Sequence, residues 1–360
     1  MKVLLVGNYE ADGQRSMDRF CTMLLKGLRE AGIQAEVVRP AVVAGGRNKW
    51  LGYIDKLLLS PLTLRRAVKM RPGWVVHVVD QGNGIYAGWI RGCVVTCHDL
   101  LAIRMARGEF AGRRTGLSGR VFQWLILRGL RRAAGIASVS GATRRDVERL
   151  IGKSEVIADG VVDYWEPMEA EEAWERIEEA GVRAREAGYV LHVGGGQWYK
   201  NRTGVVRGFI ELRKRTAHAP KLVIVGLELD GGLDTELKRA GLGDEVMILK
   251  DIADETLRAL YAMARVFIFP SLEEGFGWPI LEAQACGCPV VTTGKEPMTE
   301  TGGAAAIYAN AGEWTQAVAG VLEMNETRRA AVVAAGRENA QRFSAKKMVG
   351  KYIEFYRRHQ

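Results

Sequence analysis

The stretch Phe267-Ile-Phe-Pro-Ser271-Leu-Glu273-Glu274-Gly275-Phe276-Gly277-Trp-Pro279-Ile-Leu-Glu282-Ala-Gln-Ala-Cys286-Gly-Cys288-Pro-Val290-Val291 decides how this chain is read. The apolar run at its start predicts a buried strand ending at Ser271. A glycine-flanked loop follows and presents Glu274. Pro279 then suits the first turn of a helix, where a missing N–H costs nothing, and Glu282 falls one turn further in. Val290 opens another strand. A strand, loop, helix and strand in this order form one unit of a parallel α/β sheet.

The same alternation runs outward through both halves. Strands are expected at Val3–Val6, Ala35–Val38, Val75–Val79, Val94–Cys97, Ile136–Val139 and Glu155–Ile157. A second series is expected at Tyr189–Val193, Leu222–Val225, Val246–Leu249, Val266–Phe269 and Val290–Thr293. Met17, Phe20, Cys21, Leu24 and Leu28 are spaced as one helical stripe after the first strand. An acidic helix is expected over Glu169–Glu186, between the two series. At 360 residues and 39.7 kDa the chain exceeds one ordinary core. Two Rossmann-like domains are therefore expected, at 1–165 and 166–344, with a basic helix over 345–360 packing back across the junction.

Composition narrows the function classes. Hydrophobic residues at 48% and charged residues at 26% describe a globular protein, which excludes disorder and disulfide scaffolds. Cys21, Cys93, Cys97, Cys286 and Cys288 form no CxxC pair and no ligand set with histidine. They read as reduced thiols of a cytoplasmic protein. The net charge is +9, with +12 in residues 1–165 and −3 in the remainder. Arginine is densest from Arg104 to Arg132, where Glu109 is the single acid. Phe122, Trp124, Leu125 and Leu127 are interleaved there, so a basic amphipathic helix in an anionic membrane interface is one reading. A core helix with a solvated face is another. Nucleic acid ranks last, because no binding motif for it is present.

Ligands of parallel α/β domains sit past the carboxyl ends of strands, here in a cleft between two domains. Gly13, before the first long helix, allows backbone approach to an anion at the helix N-terminus. His98-Asp99 follows the strand at Val94–Cys97, where an imidazole meets a substrate hydroxyl or a developing charge. Gly194-Gly195-Gly196 leads to Lys200, Asn201 and Arg202, a plausible diphosphate cradle of amides and cations. The Glu282 carboxylate can accept two hydrogen bonds from a ribose diol. Glu274, on the loop, is placed nearer the reacting centre.

These residues resemble the donor-site signature of the retaining glycosyltransferases of family 4, which have the GT-B fold: two Rossmann-like domains facing each other across a deep cleft. Glu274 and Glu282 carry the resemblance, within Glu-Gly-Phe-Gly-Trp-Pro-Ile-Leu-Glu-Ala. His98-Asp99, Ser138-Val-Ser140, Asp159-Gly160-Val161 and Lys200-Asn201 follow the family order. The resemblance implies that Glu282 binds the nucleotide ribose and Glu274 contacts the donor sugar. It also implies that the amides of Gly275, Phe276 and Gly277 serve sugar and diphosphate. Lys200 would neutralise the diphosphate, with Arg202 as a second charge. His98 would lie beside the transferred sugar, Gly13 would face diphosphate and acceptor, and the base would rest near Leu249–Ile252.

The sequence has Asp12-Gly13 where the family often has two glycines, and Gln197 where it often has arginine. No Asp-x-Asp occurs, so neither metal nor cofactor is expected. The expected partners are a UDP- or GDP-sugar donor and a glycan or lipid-linked acceptor at the inner face of the membrane. A nucleotide-sugar 2-epimerase and a non-catalytic nucleotide-sugar-binding protein are the competing readings.

Overall fold

The computed structural model describes residues 1–45, 49–216, 220–310 and 313–360. The chain divides into two units, Met1–Gly160 with Ala345–Gln360, and Val161–Ser344. The first division falls after Gly160, earlier than residue 165. Trp165 sits with the second unit, edge-on to the Tyr261 ring at 5.8 Å between centroids.

Among the described residues the first unit holds strands β1 (Lys2–Val6), β2 (Gln34–Val38), β3 (Val75–Val78), β4 (Val94–Cys97), β5 (Gly135–Ser138) and β6 (Glu155–Val156). They form one parallel sheet in the order β2-β1-β3-β4-β5-β6. The second unit holds β7 (Tyr189–Val193), β8 (Lys221–Val225), β9 (Val246–Leu249), β10 (Val266–Phe269), β11 (Val290–Thr293) and β12 (Ile307–Ala309). These run parallel in the order β12-β11-β10-β7-β8-β9. Every residue of β3, β4, β10 and β11 is buried. Burial on both faces is why these segments read as unbroken Val, Ile and Phe rather than as an alternation.

The edge strand β12 carries no such run, and its middle residue, Tyr308, is exposed. The sequence reading passed over it for that reason. The acidic helix is shorter than expected, Ala170–Glu179, because Gly181 turns the chain at φ +88°.

In the first unit, helix Leu117–Leu130 crosses the 3-10 segment Gln81–Gly88 closely. A Cβ at Gly129 would lie 2.2 Å from the Gly84 carbonyl oxygen, so only glycine permits the approach. Helix Ala345–Arg358 also belongs to this unit. Its Tyr356 hydroxyl lies 2.7 Å from His77 Nδ1 on β3, and its Tyr352 hydroxyl lies 2.7 Å from Thr96 Oγ1 on β4. His77 Nε2 meets the same threonine at 2.8 Å. Four buried polar side chains thus satisfy one another, which keeps them from carrying the penalty of an unpaired buried group.

A candidate active site at the β7 and β10 strand ends

Strand order in the second unit reverses between β7 and β10, so their following loops part and leave room for a ligand. β7 leads through Gly194, Gly195 and Gly196 to the turn Trp198–Lys200 and helix Arg202–Arg215. β10 leads to the loop bearing Glu274 and then to helix Trp278–Ala285. Two bonds lace the loops together: the Leu272 amide donates to the Tyr199 carbonyl at 2.7 Å, and Asn201 Nδ2 donates to the Pro270 carbonyl at 3.1 Å.

Across this junction Lys200 Nζ lies 2.7 Å from Glu274 Oε1. Their side chains are 17% and 9% exposed, so the pair is largely shielded yet reachable from outside. The ammonium also sits 5.1 Å from the centroid of the Phe269 ring, a favourable place for a cation. Gly277 opens the helix at φ +106°, a conformation side chains rarely adopt, and Pro279 occupies the first turn. One turn on, Glu282 is buried and accepts a hydrogen bond from the Tyr261 hydroxyl at 3.2 Å. Gly275 and Phe276 are buried, with the Phe276 ring 5.9 Å from that of Phe343.

The sequence reading did not single out His192 or Ser271. His192 Nδ1 is 3.1 Å from the Ile268 carbonyl, so that nitrogen carries the proton and Nε2 holds a lone pair. Nε2 is buried without a partner and faces the glycine turn, since a Cβ on Gly194 would stand 3.1 Å from it. Burial, with Arg202 and Lys200 nearby, holds the imidazole neutral with a pKa pushed down to about 4. Ser271 Oγ is likewise buried and unpartnered. A histidine inside an otherwise apolar strand was the only available signal.

Two of the expected ligand contacts are corrected. Arg202 is buried, and its guanidinium donates to the carbonyls of Leu227 and Glu228, so it ties down the loop after β8 rather than presenting a second charge. Asn201 adopts φ +54° and caps its helix by accepting from the Gly204 amide, besides bridging to Pro270. It holds the loops in place.

In the first unit the strand ends form a separate cluster. Asn8 Nδ2, past β1, donates to Asp80 Oδ2, past β3, at 2.5 Å. Gly13 closes the turn Glu10–Asp12 at φ +61° before helix Arg15–Glu30. His98, past β4, is buried, with its ring edge-on to Phe20 at 4.8 Å. Its Nε2 is 3.0 Å from the Val79 carbonyl and its Nδ1 is 3.4 Å from Asp159 Oδ2. Burial opposes a charge here, but Asp159, aided by Asp80 and the Val79 carbonyl, outweighs it and raises the imidazole pKa above its usual 6.5. Acceptors thus face both nitrogens of the His98 ring, which favours its protonated form.

The partner of His98 is Asp159 and not its neighbour Asp99. Asp99 Oδ1 accepts from the Leu101 amide at 2.9 Å and starts helix Leu101–Ala106. A carboxylate adjacent in sequence points along the chain, whereas Asp159 is brought in by the sheet.

Residues 174–342 match the family described as glycosyl transferases group 1. The matched residues lie within the second unit, Val161–Ser344. O-antigen chain mannosyltransferase B of Escherichia coli is 31% identical over 174 residues, covering 47% of this chain and 46% of that protein. O-antigen chain mannosyltransferase RfbU of Salmonella typhimurium is 29% identical over 146 residues, covering 38% of this chain and 39% of that protein. The chain thus spans less than half the length of either relative. Sucrose-phosphate synthase of Thermosynechococcus elongatus superposes with a TM-score of 0.76 over 99% of this chain and 98% of its own, at 18% identity. That likeness establishes the fold, the two-domain α/β architecture of GT-B proteins. The second unit places Lys200, Glu274 and Glu282 where its strand order reverses.

Proposed function

We propose that this protein is a retaining glycosyltransferase. It moves a hexosyl unit from a nucleoside diphosphate sugar, a UDP- or GDP-sugar, to a hydroxyl of a glycan acceptor carried on a lipid. The printed activity of the two O-antigen relatives favours mannose as the sugar. The observation that carries the reading is the shielded Lys200–Glu274 pair at the β7–β10 reversal, with Glu282 buried on the helix that the same loop opens. The two charges satisfy each other. A diphosphate takes over Lys200 and frees Glu274 to accept from sugar hydroxyls, while Glu282 accepts from the ribose diol. The glycine turn supplies amides; His192 Nε2 beside it and Ser271 Oγ past β10 are buried polar atoms without partners.

In the reaction the bond from the anomeric carbon to the diphosphate oxygen breaks. The acceptor oxygen bonds to that carbon on the same face, and its proton passes to the departing phosphate. Lys200 and the loop amides stabilise the charge that builds on the leaving group. No metal is assigned a role, so EDTA leaves turnover unchanged; a loss restored by divalent cation would overturn that part.

A thermal-shift panel of UDP, GDP, ADP and their sugars tests the reading. A ligand at a hundred times its Kd adds about 2.7 kcal/mol, and for a domain of this size each kcal/mol shifts Tm by roughly 2–4 °C. The best binder is then assayed for transfer with product stereochemistry. No shift with any nucleoside diphosphate would sink the proposal, and conversion of the sugar to its epimer without transfer would assign the competing activity.

A further inference from the structure

Helix Leu117–Leu130 has two apolar faces. Ile126, Leu127 and Leu130 point into the core of the first unit. Leu117, Val121 and Trp124 point away and are 79%, 56% and 54% exposed. Their spacing of four and three residues lines them up on one side. Single exposed apolar residues are ordinary, but a line of three on one helix face is not. A helical segment of the same unit touches this helix and carries exposed apolar residues of its own. Tyr53 meets Phe122 edge-on at 5.3 Å, and Leu58 and Leu62, one turn apart, are 62% and 67% exposed.

The rim is cationic. Arg113, Arg114, Arg120 and Arg128 are all exposed, and the Arg128 guanidinium lies 5.5 Å from the Trp124 ring centroid. No Asp or Glu occurs between Glu109 and Asp146. Glu109 itself is bound by Arg104, Arg107 and Arg149. This charge pattern decides among occupants. A second copy in a two-fold dimer would set these arginines against themselves. Nucleic acid would use the arginines and leave the Leu117–Val121–Trp124 line uncovered.

We propose that this face docks on an anionic lipid bilayer. The helix lies in the plane of the interface, its outer apolar line at the acyl boundary and its arginines among lipid phosphates. No helix among the described residues is long and apolar enough to cross a membrane, so the contact is peripheral. The inference is independent of the transferase reading, because nucleotide binding is measured without vesicles.

The test is co-sedimentation of the full chain with phosphatidylcholine vesicles containing roughly one-third phosphatidylglycerol. The wild type is expected to pellet with these vesicles, and pure phosphatidylcholine should capture at least about tenfold less. The triple variant Leu117→Ser, Val121→Ser, Trp124→Ser should lose anionic-vesicle binding by a similar factor. Its thermal shift with the best nucleoside diphosphate should match wild type, which certifies the fold and separates the two proposals. The variant Arg120→Glu, Arg128→Glu should lose binding with the apolar line intact. Absent pelleting, or pelleting indifferent to the triple variant, overturns the proposal. So does a dimer dissolved by those same substitutions without vesicle binding.

Discussion

Lys200 and Glu274 are the two side chains whose removal should separate activity from folding. Each is still partly reachable by solvent, so Lys200→Ala or Glu274→Gln leaves the core untouched. The expected result is turnover lower by about 10²–10³-fold with Tm close to wild type. Unchanged turnover in both would remove the site assignment. His98 makes a different prediction, because its charge depends on Asp159. In Asp159→Asn, burial is opposed only by Asp80 and the Val79 carbonyl, so the His98 titration followed by NMR should move down. The sign for stability follows. An imidazole whose pKa is raised on folding contributes fully below its ordinary value of 6.5, and the contribution is lost as pH rises through the raised value. Burial also raises the Asp159 pKa, which gives the same slope. Wild-type stability should therefore fall with pH through this window, and the Asn variant should flatten the fall. The positions of Glu274, Glu282 and Lys200 past strand ends were legible in the sequence because they follow from loops within one α/β unit or its neighbour. Asp159 was not legible as the partner of His98, since nothing local joins positions 61 apart in the chain.

At the scale of elements, strand bounds were legible where an apolar run ends sharply. β4, β7, β9, β10 and β11 begin and end where their apolar runs do, whereas β3 stops one residue before its run ends at Val79. Helix Leu117–Leu130 was legible as a helix but not in its orientation. Phe122 and Trp124 share the sequence pattern, yet Phe122 is partly buried against the core and Trp124 faces out. Gly129 sets that orientation by letting the helix backbone approach Gly84. Gly129→Ala gains about 1 kcal/mol of helix propensity. The gain is outweighed by overpacking of about 1–3 kcal/mol or more, because the atoms met are backbone and cannot swing aside. A net loss in denaturant midpoint is expected; a stabilised variant would show that the crossing is looser than described.

For the whole molecule, the first unit is built from both ends of the chain. Removing residues 345–360 strips Tyr352 and Tyr356 from His77 and Thr96 and uncovers the core surface against which Val349 and Phe355 are buried. Fully burying one such side chain stabilises by about 1.5–3 kcal/mol, so the first unit should lose most of its margin. Hydrogen exchange on the truncated chain should show rapid exchange in β1, β3 and β4 while β7, β8 and β10 stay protected. Uniform protection in both sheets would contradict this division of labour.

The sequence by itself determined the parallel α/β class, the strands other than the edge strand β12, and the loop and helix that carry Glu274 and Glu282. These rest on burial and turn chemistry within a few dozen residues. Tertiary structure alone decided that Asp159 faces His98, that Arg202 donates to loop carbonyls, and that Leu117, Val121 and Trp124 face outward. Each of those depends on which distant segments the sheet order brings together, and a residue's type does not encode its neighbours across a fold.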